Sequence, residues 1–203
     1  MYNLAQNKTM SELDLISACI KNDKIAKQQF FEEHYSLIAY IAYRYSKSKT
    51  QAEPAIHSGF SHIFSQLPAF KSQQKLNLSE FVKNQFISHM VAYIKGIRSE
   101  YYVASTIKAV ETTDHSYDLF LDTKYIDVRN ANEEVILKSI QYLVPSQRLV
   151  FNLNVIDNYS LSLVSELLET SEQTVKSNLE KARFNLQKAI ENNLKLSNDE
   201  QPV

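Results

Sequence analysis

Apolar residues recur every three or four positions through most of the first hundred residues of the chain. Each stripe of this kind lies on one face of a helix, and four amphipathic helices can bury such faces against one another. The pattern therefore predicts a helical bundle over residues 10–102, with Pro68 closing its third helix. The four stripes are Leu15, Ile16, Cys19 and Ile20; Ala26, Phe30, Leu37, Ile38, Ile41, Ala42 and Tyr45; Ala52, Ile56, Phe60, Ile63, Phe64 and Leu67; and Leu78, Phe81, Val82, Phe86, Met90, Ile94 and Ile97.

Helical periodicity is lost over residues 103–131, which are rich in Thr, Asp and Tyr, and it returns in shorter pieces over residues 132–196. We interpret the first range as a connector and the second as a domain of four helices. Pro145 suits the first turn of the second of these helices, and Ser160 and Ser171 can cap the third and the fourth. The predicted fold is all-α with two domains. The core face of the last helix would comprise Val175, Leu179, Ala182, Leu186 and Ile190.

The C-terminal domain places a short helix, a tight turn and a longer helix between Ser160 and Ile190. This order is typical of a helix-turn-helix, whose second helix projects its N-terminal face into the major groove. Gln side chains can bond adenine there, and Lys can reach guanine or a phosphate. Helix pairs with a cap between them also occur in other all-α proteins, so the pattern alone leaves both interpretations open. The side chains expected to face DNA are Glu172, Gln173, Lys176 and Ser177, with Lys181 and Arg183 placed for phosphates.

Composition limits the chemistry that the 203 residues can carry. With 2 Gly and 1 Cys, the chain has neither a glycine-rich phosphate loop nor an internal disulfide. The five histidines lack the spacing of a metal site, and we expect no metal, no cofactor and no enzymatic activity. The net charge of −1 confines any basic surface to local patches. No secretory signal and no apolar stretch long enough to span a bilayer is found, which predicts a cytoplasmic protein.

The segment LVPSQRLVFNL, from Leu143 to Leu153, resembles the opening of sigma-factor region 4. The resemblance implies that this domain docks on the flap of the RNA polymerase beta subunit and binds the minus-35 promoter element. Two departures stand out, because Glu169 occupies the small-residue position of the turn and Asn178 occupies a position where Arg is usual. The further matching stretches are Tyr159-Ser160, Glu166 to Leu168, Ser171 to Ser177, and Leu179 to Leu186.

The first hundred residues resemble, less cleanly, region 2 of sigma factors of the extracytoplasmic-function group. Ala52-Glu53 followed by Phe60 and Phe64 is similar to the helix that grips the clamp helices of the beta-prime subunit. The resemblance is divergent there, since most of the acidic residues usual in this helix are missing. The polymerase-binding residues that it implies are Glu53, His57 and Phe60, and the replacements are Pro54, His57, Ser58 and Gly59.

The same resemblance implies a surface for the melted minus-10 element. The stretch from Pro68 to Lys75 would be a loop that captures an unpaired base, because it offers an aromatic ring for stacking with cations nearby. The end of the next helix adds further basic and aromatic groups. A core role for Phe70 and a solvated basic helix end are the alternatives. The implied minus-10 residues are Phe70, Lys71, Lys75, Tyr93, Lys95 and Arg98.

These resemblances together imply a divergent sigma factor that binds core RNA polymerase and promoter DNA and directs transcription initiation. An anti-sigma protein is a further partner that the family implies, and insertion into a membrane is not expected. Two alternatives stay open. The first is a sigma-like adaptor or decoy without promoter function, and the second is a helix-turn-helix regulator that acts without polymerase docking.

Overall fold

A computed structural model describes residues 10–73, 77–97 and 131–199 of the chain. These residues form α-helices, one π-helical turn and the short connections between them, and no strand occurs in these ranges. The predicted all-α fold is therefore confirmed.

The N-terminal helices are α1 (Glu12–Ile20), α2 (Lys24–Tyr45), α3 (Lys49–Gln73) and α4 (Leu78–Gly96). Polar side chains cap three of them, because Ser11, Asp23 and Asn77 accept hydrogen bonds from the first-turn amides of α1, α2 and α4. The apolar stripes meet in the bundle core, where Phe30, Ile63 and Phe86 are among the fully buried side chains. The four stripes were thus predicted from periodicity with nearly correct ends, except for the third.

Helix α3 does not end at Pro68, and this part of the prediction is wrong. The helix continues through Pro54 and Pro68 to Gln73. A proline inside a helix removes one backbone hydrogen bond, and here burial on both sides of Pro68 offsets that cost. Leu67 is fully buried, and the ring of Phe70 packs on Phe81 with the ring centroids 4.5 Å apart.

The C-terminal helices are α5 (Glu133–Tyr142), α6 (Pro145–Phe151), α7 (Leu161–Leu168) and α8 (Glu172–Asp199). A π-helical turn at Asn152–Ile156 extends α6. The predicted caps are confirmed, since Pro145 opens α6 and Ser160 Oγ accepts from the amide of Leu163 at 3.2 Å. At the start of α8, Ser171 Oγ accepts from the amide of Thr174 at 3.1 Å.

The hydrophobic cores of the two sets of helices are continuous. Leu149, Leu153, Val164 and Val175 belong to one buried cluster with the core residues of α1 to α4. The division into a domain at 10–102, a connector at 103–131 and a domain at 132–196 stays a prediction. What the structure adds is that helices from the two outer ranges pack on each other.

Gly59 sets the separation of α3 and α4. A Cβ atom at this position would lie 2.2 Å from Cε2 of the buried Phe86 ring, whereas one at Gly96 would meet nothing within 4 Å. We expect Gly59→Ala to lower the free energy of unfolding by about 1–2 kcal/mol, because overpacking exceeds the gain in helix propensity. Gly96→Ala is the matched control and should leave stability unchanged or slightly raised. Chemical denaturation followed by circular dichroism measures both, and equal stability of the two variants would contradict the close approach.

Candidate nucleic-acid interface

The helix-turn-helix is built from α7, a three-residue turn and the first half of α8. Glu169 ends α7 in the left-handed region, with φ 54° and ψ 46°. The amide of Thr170 then donates to the carbonyl of Ser165 at 3.0 Å, and Ser171 caps α8. The turn therefore keeps the left-handed backbone that glycine usually provides, although a glutamate occupies it.

The buried and exposed faces of α8 separate as the periodicity predicts. Val175, Leu179 and Ala182 are buried against the neighbouring helices. Gln173 and Lys176 are exposed at the N-terminal end of the helix, where a helix-turn-helix reads base edges. Of the other residues predicted to face DNA, Glu172 and Arg183 are exposed, and Ser177 and Lys181 are half-buried.

The turn of the helix-turn-helix contacts the end of α4. Lys95 Nζ lies 2.7 Å from Glu169 Oε1 and donates a longer bond, 3.4 Å, to the carbonyl of Leu167. The hydrogen bond and the charge of Lys95 lower the pKa of the Glu169 carboxyl. Lys95 was predicted to contact minus-10 DNA, and in this arrangement its ammonium group already has a carboxylate partner.

Asp157 lies at the centre of a second contact between the two sets of helices. Its carboxylate accepts hydrogen bonds from both terminal nitrogens of Arg44, each at 2.7 Å, and the two groups form a bidentate pair. Lys83 Nζ is 3.3 Å from the same carboxylate, and Tyr45 donates its hydroxyl to it at 2.9 Å. The side chains of Arg44 and Asp157 are only 3% and 1% exposed. The pair is therefore shielded from water. Charge-assisted hydrogen bonds are strong, and they are stronger in the protein interior than in water.

The π-helical turn positions the acceptors of this contact. The amide of Asp157 donates to the carbonyl of Asn152 at 2.8 Å and closes the wide turn. Asn152, fully buried, accepts from Arg44 Nη1 at 2.8 Å and donates to the carbonyl of Arg44 at 2.9 Å. Burial, with the Asp157 charge nearby, raises the pKa of the Tyr45 hydroxyl well above its usual value. Tyr45 consequently stays protonated and remains a donor.

Arg148 makes the third contact. Its guanidinium is buried and donates through Nε to the carbonyl of Tyr45 at 2.9 Å. Nη1 donates to the carbonyls of Gln141 at 2.9 Å and Leu143 at 2.7 Å. These carbonyls lie at the C-terminal ends of α2 and α5, where acceptors lack intrahelical donors and the helix dipole favours a cation.

The remaining predicted site residues that the structure describes are exposed, half-buried or part of the core. Glu53, His57 and Lys71 are exposed, and Lys71 Nζ donates to Ser17 Oγ at 2.8 Å. Tyr93 is half-buried. Phe60 and Phe70 are core residues, at 4% and 9% exposure, with Phe60 packed on Phe31 at 4.4 Å between ring centroids. Phe70 and Lys71 also lie on α3 rather than in the loop expected there. Lys75 and Arg98 lie outside the described residues.

Sequence reasoning missed Arg44, Lys83, Asn152 and Asp157. Arg44 and Asp157 are 113 positions apart, and no local periodicity connects them. One signal was present, because Arg44 interrupts the apolar end of the second stripe. A charged residue at such a position requires a partner if the helix end is buried.

Within the described ranges, no group of three or more His, Cys, Asp or Glu side chains is arranged to hold a metal ion. No helix in the same ranges is both long enough and apolar enough to cross a membrane.

Residues 133–186 match the family model for region 4 of sigma-70. The match begins at the first residue of α5 and ends inside α8, so it contains the whole helix-turn-helix. This region is a DNA-binding domain of transcription factors and has no enzymatic role, and its presence supports a function in transcription with RNA polymerase and promoter DNA. The predicted resemblance to region 4 is confirmed for this part of the chain. No curated protein matches the chain.

Proposed function

We propose that this protein is a divergent sigma factor of the extracytoplasmic-function type, which binds core RNA polymerase in the cytoplasm and directs it to promoters. One observation carries the proposal. The region 4 match coincides with a helix-turn-helix whose reading end, at Gln173 and Lys176, is exposed to solvent. Polymerase would perform the chemistry, and this chain would supply binding energy and promoter selection.

The minus-35 element would be bound by the first turns of α8. Gln173 and Lys176 would contact base edges, with Glu172 and Ser177 beside them. Lys181 and Arg183 lie one to two turns further along and would bind backbone phosphates. Each of these side chains is at least partly accessible, as this role requires.

The N-terminal helices would contact polymerase and melted DNA. Glu53 and His57 are exposed on α3 and are the proposed contacts to the beta-prime subunit, while the beta-subunit flap would dock on the region 4 domain. We do not retain Phe60 or Phe70 as contacts, because both rings are in the core. The proposed minus-10 residues are Lys71, Lys75, Tyr93, Lys95 and Arg98.

A second candidate is a helix-turn-helix regulator that binds DNA without polymerase. The packing of the region 4 helices on α2 and α4 favours it, because a protein held in this arrangement would present α8 to DNA as part of one body. Such a regulator would protect its DNA site in the absence of polymerase.

Purified core RNA polymerase tests the proposal. We expect the full chain to co-purify with core polymerase and to support run-off transcription from genomic fragments of the source organism that core polymerase alone does not transcribe. Polymerase binding without initiation would reject the proposal and identify an adaptor or decoy. A footprint by the free protein, with no polymerase binding, would identify the regulator. An anti-sigma protein, a partner that the resemblance implies, would be sought as an inhibitor of the run-off reaction.

A further inference from the structure

We propose that Glu180 is a specificity-determining residue of the DNA interface. Its carboxylate accepts a hydrogen bond from the N4 amino group of a cytosine, in the major groove near the base that Gln173 contacts. The inference deepens the proposed recognition of the minus-35 element and rests on it. Its test separates a failure of this base contact from a failure of the sigma function.

The position of Glu180 on α8 places it on the outward face of the helix. It follows Gln173 by seven residues, which is about 20° short of two helical turns, so the two side chains lie on the same face. Val175, Leu179 and Ala182 are buried on the other side, about 180° to 240° around the helix from Gln173. Glu180 is exposed, as Gln173 is. It therefore lies on the face that a helix-turn-helix presents to DNA.

The carboxylate of Glu180 is free to accept a hydrogen bond. Within residues 10–73, 77–97 and 131–199 it forms no ion pair, and no donor is hydrogen-bonded to it. Lys176 lies four positions before it, and a pair in this order is weaker than one in which the glutamate comes first. Glu134 and Lys138 have the favourable order on α5, and their charged atoms lie 2.9 Å apart. A base would consequently not have to displace a partner from Glu180.

The chemistry of a carboxylate, which only accepts hydrogen bonds, selects the base. In the major groove, guanine presents two acceptors and thymine presents one acceptor and a methyl group, so neither offers a donor. Adenine presents its N6 donor next to the N7 acceptor, which repels a carboxylate, whereas cytosine presents its N4 donor without an acceptor beside it. Glu180 therefore favours cytosine. Gln173 differs, because an amide both donates and accepts and can bond adenine through two atoms.

The charges around Glu180 make its contribution one of discrimination between sequences. Because DNA phosphates repel a carboxylate, Glu180 weakens binding to every sequence that offers it no donor. Lys176, Lys181 and Arg183 lie within about one turn of it and keep the local charge positive. The rise along α8 from Gln173 to Glu180 is about 10.5 Å, or about three base pairs. The cytosine should therefore lie within about three base pairs of the base that Gln173 contacts.

Selection from a randomised duplex library tests the contact, with the full chain used both alone and bound to core polymerase. We expect the parent chain to enrich a cytosine at one position. Glu180→Gln should change the preferred base there to adenine, because an amide replaces the carboxylate. The ratio of the two affinities should change by roughly 5- to 150-fold. Glu191→Gln is the matched control, since it makes the same substitution on the same face of α8 about 16 Å further along. It should enrich the same sequence as the parent chain.

A modified base provides a second readout. N4-methylcytosine keeps its pair with guanine, but the methyl group takes the place of the amino hydrogen that faces the major groove. Placed at the enriched position, it should weaken binding of the parent chain by roughly 5- to 150-fold. Glu180→Ala, which has no carboxylate, should bind the methylated and unmethylated duplexes equally. Since the Glu180 side chain is exposed, both substitutions should leave the helix content unchanged, which circular dichroism verifies.

No cytosine preference in the parent chain, or a preference that Glu180→Gln leaves unchanged, would overturn the inference. Equal binding of the parent chain to the methylated and unmethylated duplexes would also overturn it. Tighter binding of Glu180→Gln to all sequences alike would place the carboxylate beside phosphates, with the same consequence. In each case, run-off transcription by the parent chain with core polymerase would leave the sigma function in place. A change from cytosine to adenine in the free chain, without binding to core polymerase, would instead reject the sigma function and keep the base contact.

Discussion

We expect replacement of Arg148 with methionine to lower the free energy of unfolding by about 2–4 kcal/mol. The side chain is buried, and its guanidinium donates to the carbonyls of Tyr45, Gln141 and Leu143. Methionine fills much of the same volume but donates no hydrogen bond. Three acceptors at helix ends therefore lose this donor, and the bonds lost at Tyr45 and Leu143 are buried. The cost is largest where such acceptors cannot reach water.

Denaturant unfolding of the full chain measures this effect, with two companion variants. Arg148→Lys keeps the charge but lacks the planar guanidinium that reaches several carbonyls. Its free energy of unfolding should lie between those of the parent chain and the methionine variant. Arg183→Met, at an exposed position of α8, should change stability by less than about 0.5 kcal/mol. If Arg148→Met and Arg183→Met proved equally stable, the bonds to the two helix ends would have no net effect on stability.

The helices and their caps could be predicted because they depend on residues close together in sequence. Ser160 and Ser171 cap helices by bonding amides three positions away, and such bonds follow from local chemistry. Glu169 was identified from the sequence as a departure at the small-residue position of the turn, and its φ of 54° shows that it adopts the left-handed backbone there. The exposed start of α8 follows from the buried positions of Val175 and Leu179.

The contacts between the two sets of helices could not be predicted, because they depend on tertiary packing. Nothing near Asp157 in sequence indicates that Arg44 is its partner, and the π-helical turn that positions Asn152 has no periodic signal. The prediction that the third helix ends at Pro68 was wrong for the same reason. A proline is a strong local signal for a helix end, but the burial of Leu67 and Phe70 outweighs it.

Gln173→Ala and Lys176→Ala should each weaken binding to the minus-35 element by about 1–3 kcal/mol, or roughly 5- to 150-fold. Both side chains are exposed at the end of α8 that a helix-turn-helix places in the major groove. Loss of a base contact should also relax the preference at one promoter position. Loss of a phosphate contact would instead weaken binding to all DNA sequences alike and reduce the salt dependence of binding.

Run-off transcription first identifies promoter fragments, and their minus-35 element is then randomised. Core polymerase bound to each variant selects among the randomised fragments, and the selected sequences distinguish these outcomes. Gln187→Ala, exposed on α8 about four turns further along, is the matched control and should select as the parent does. Relaxed preference at separate positions in the two variants would assign base contacts to Gln173 and Lys176. Unchanged selectivity in both variants would show that this end of α8 does not recognise bases. Because the buried face at Val175 and Leu179 is untouched by either substitution, a change in selectivity could not be attributed to loss of the fold.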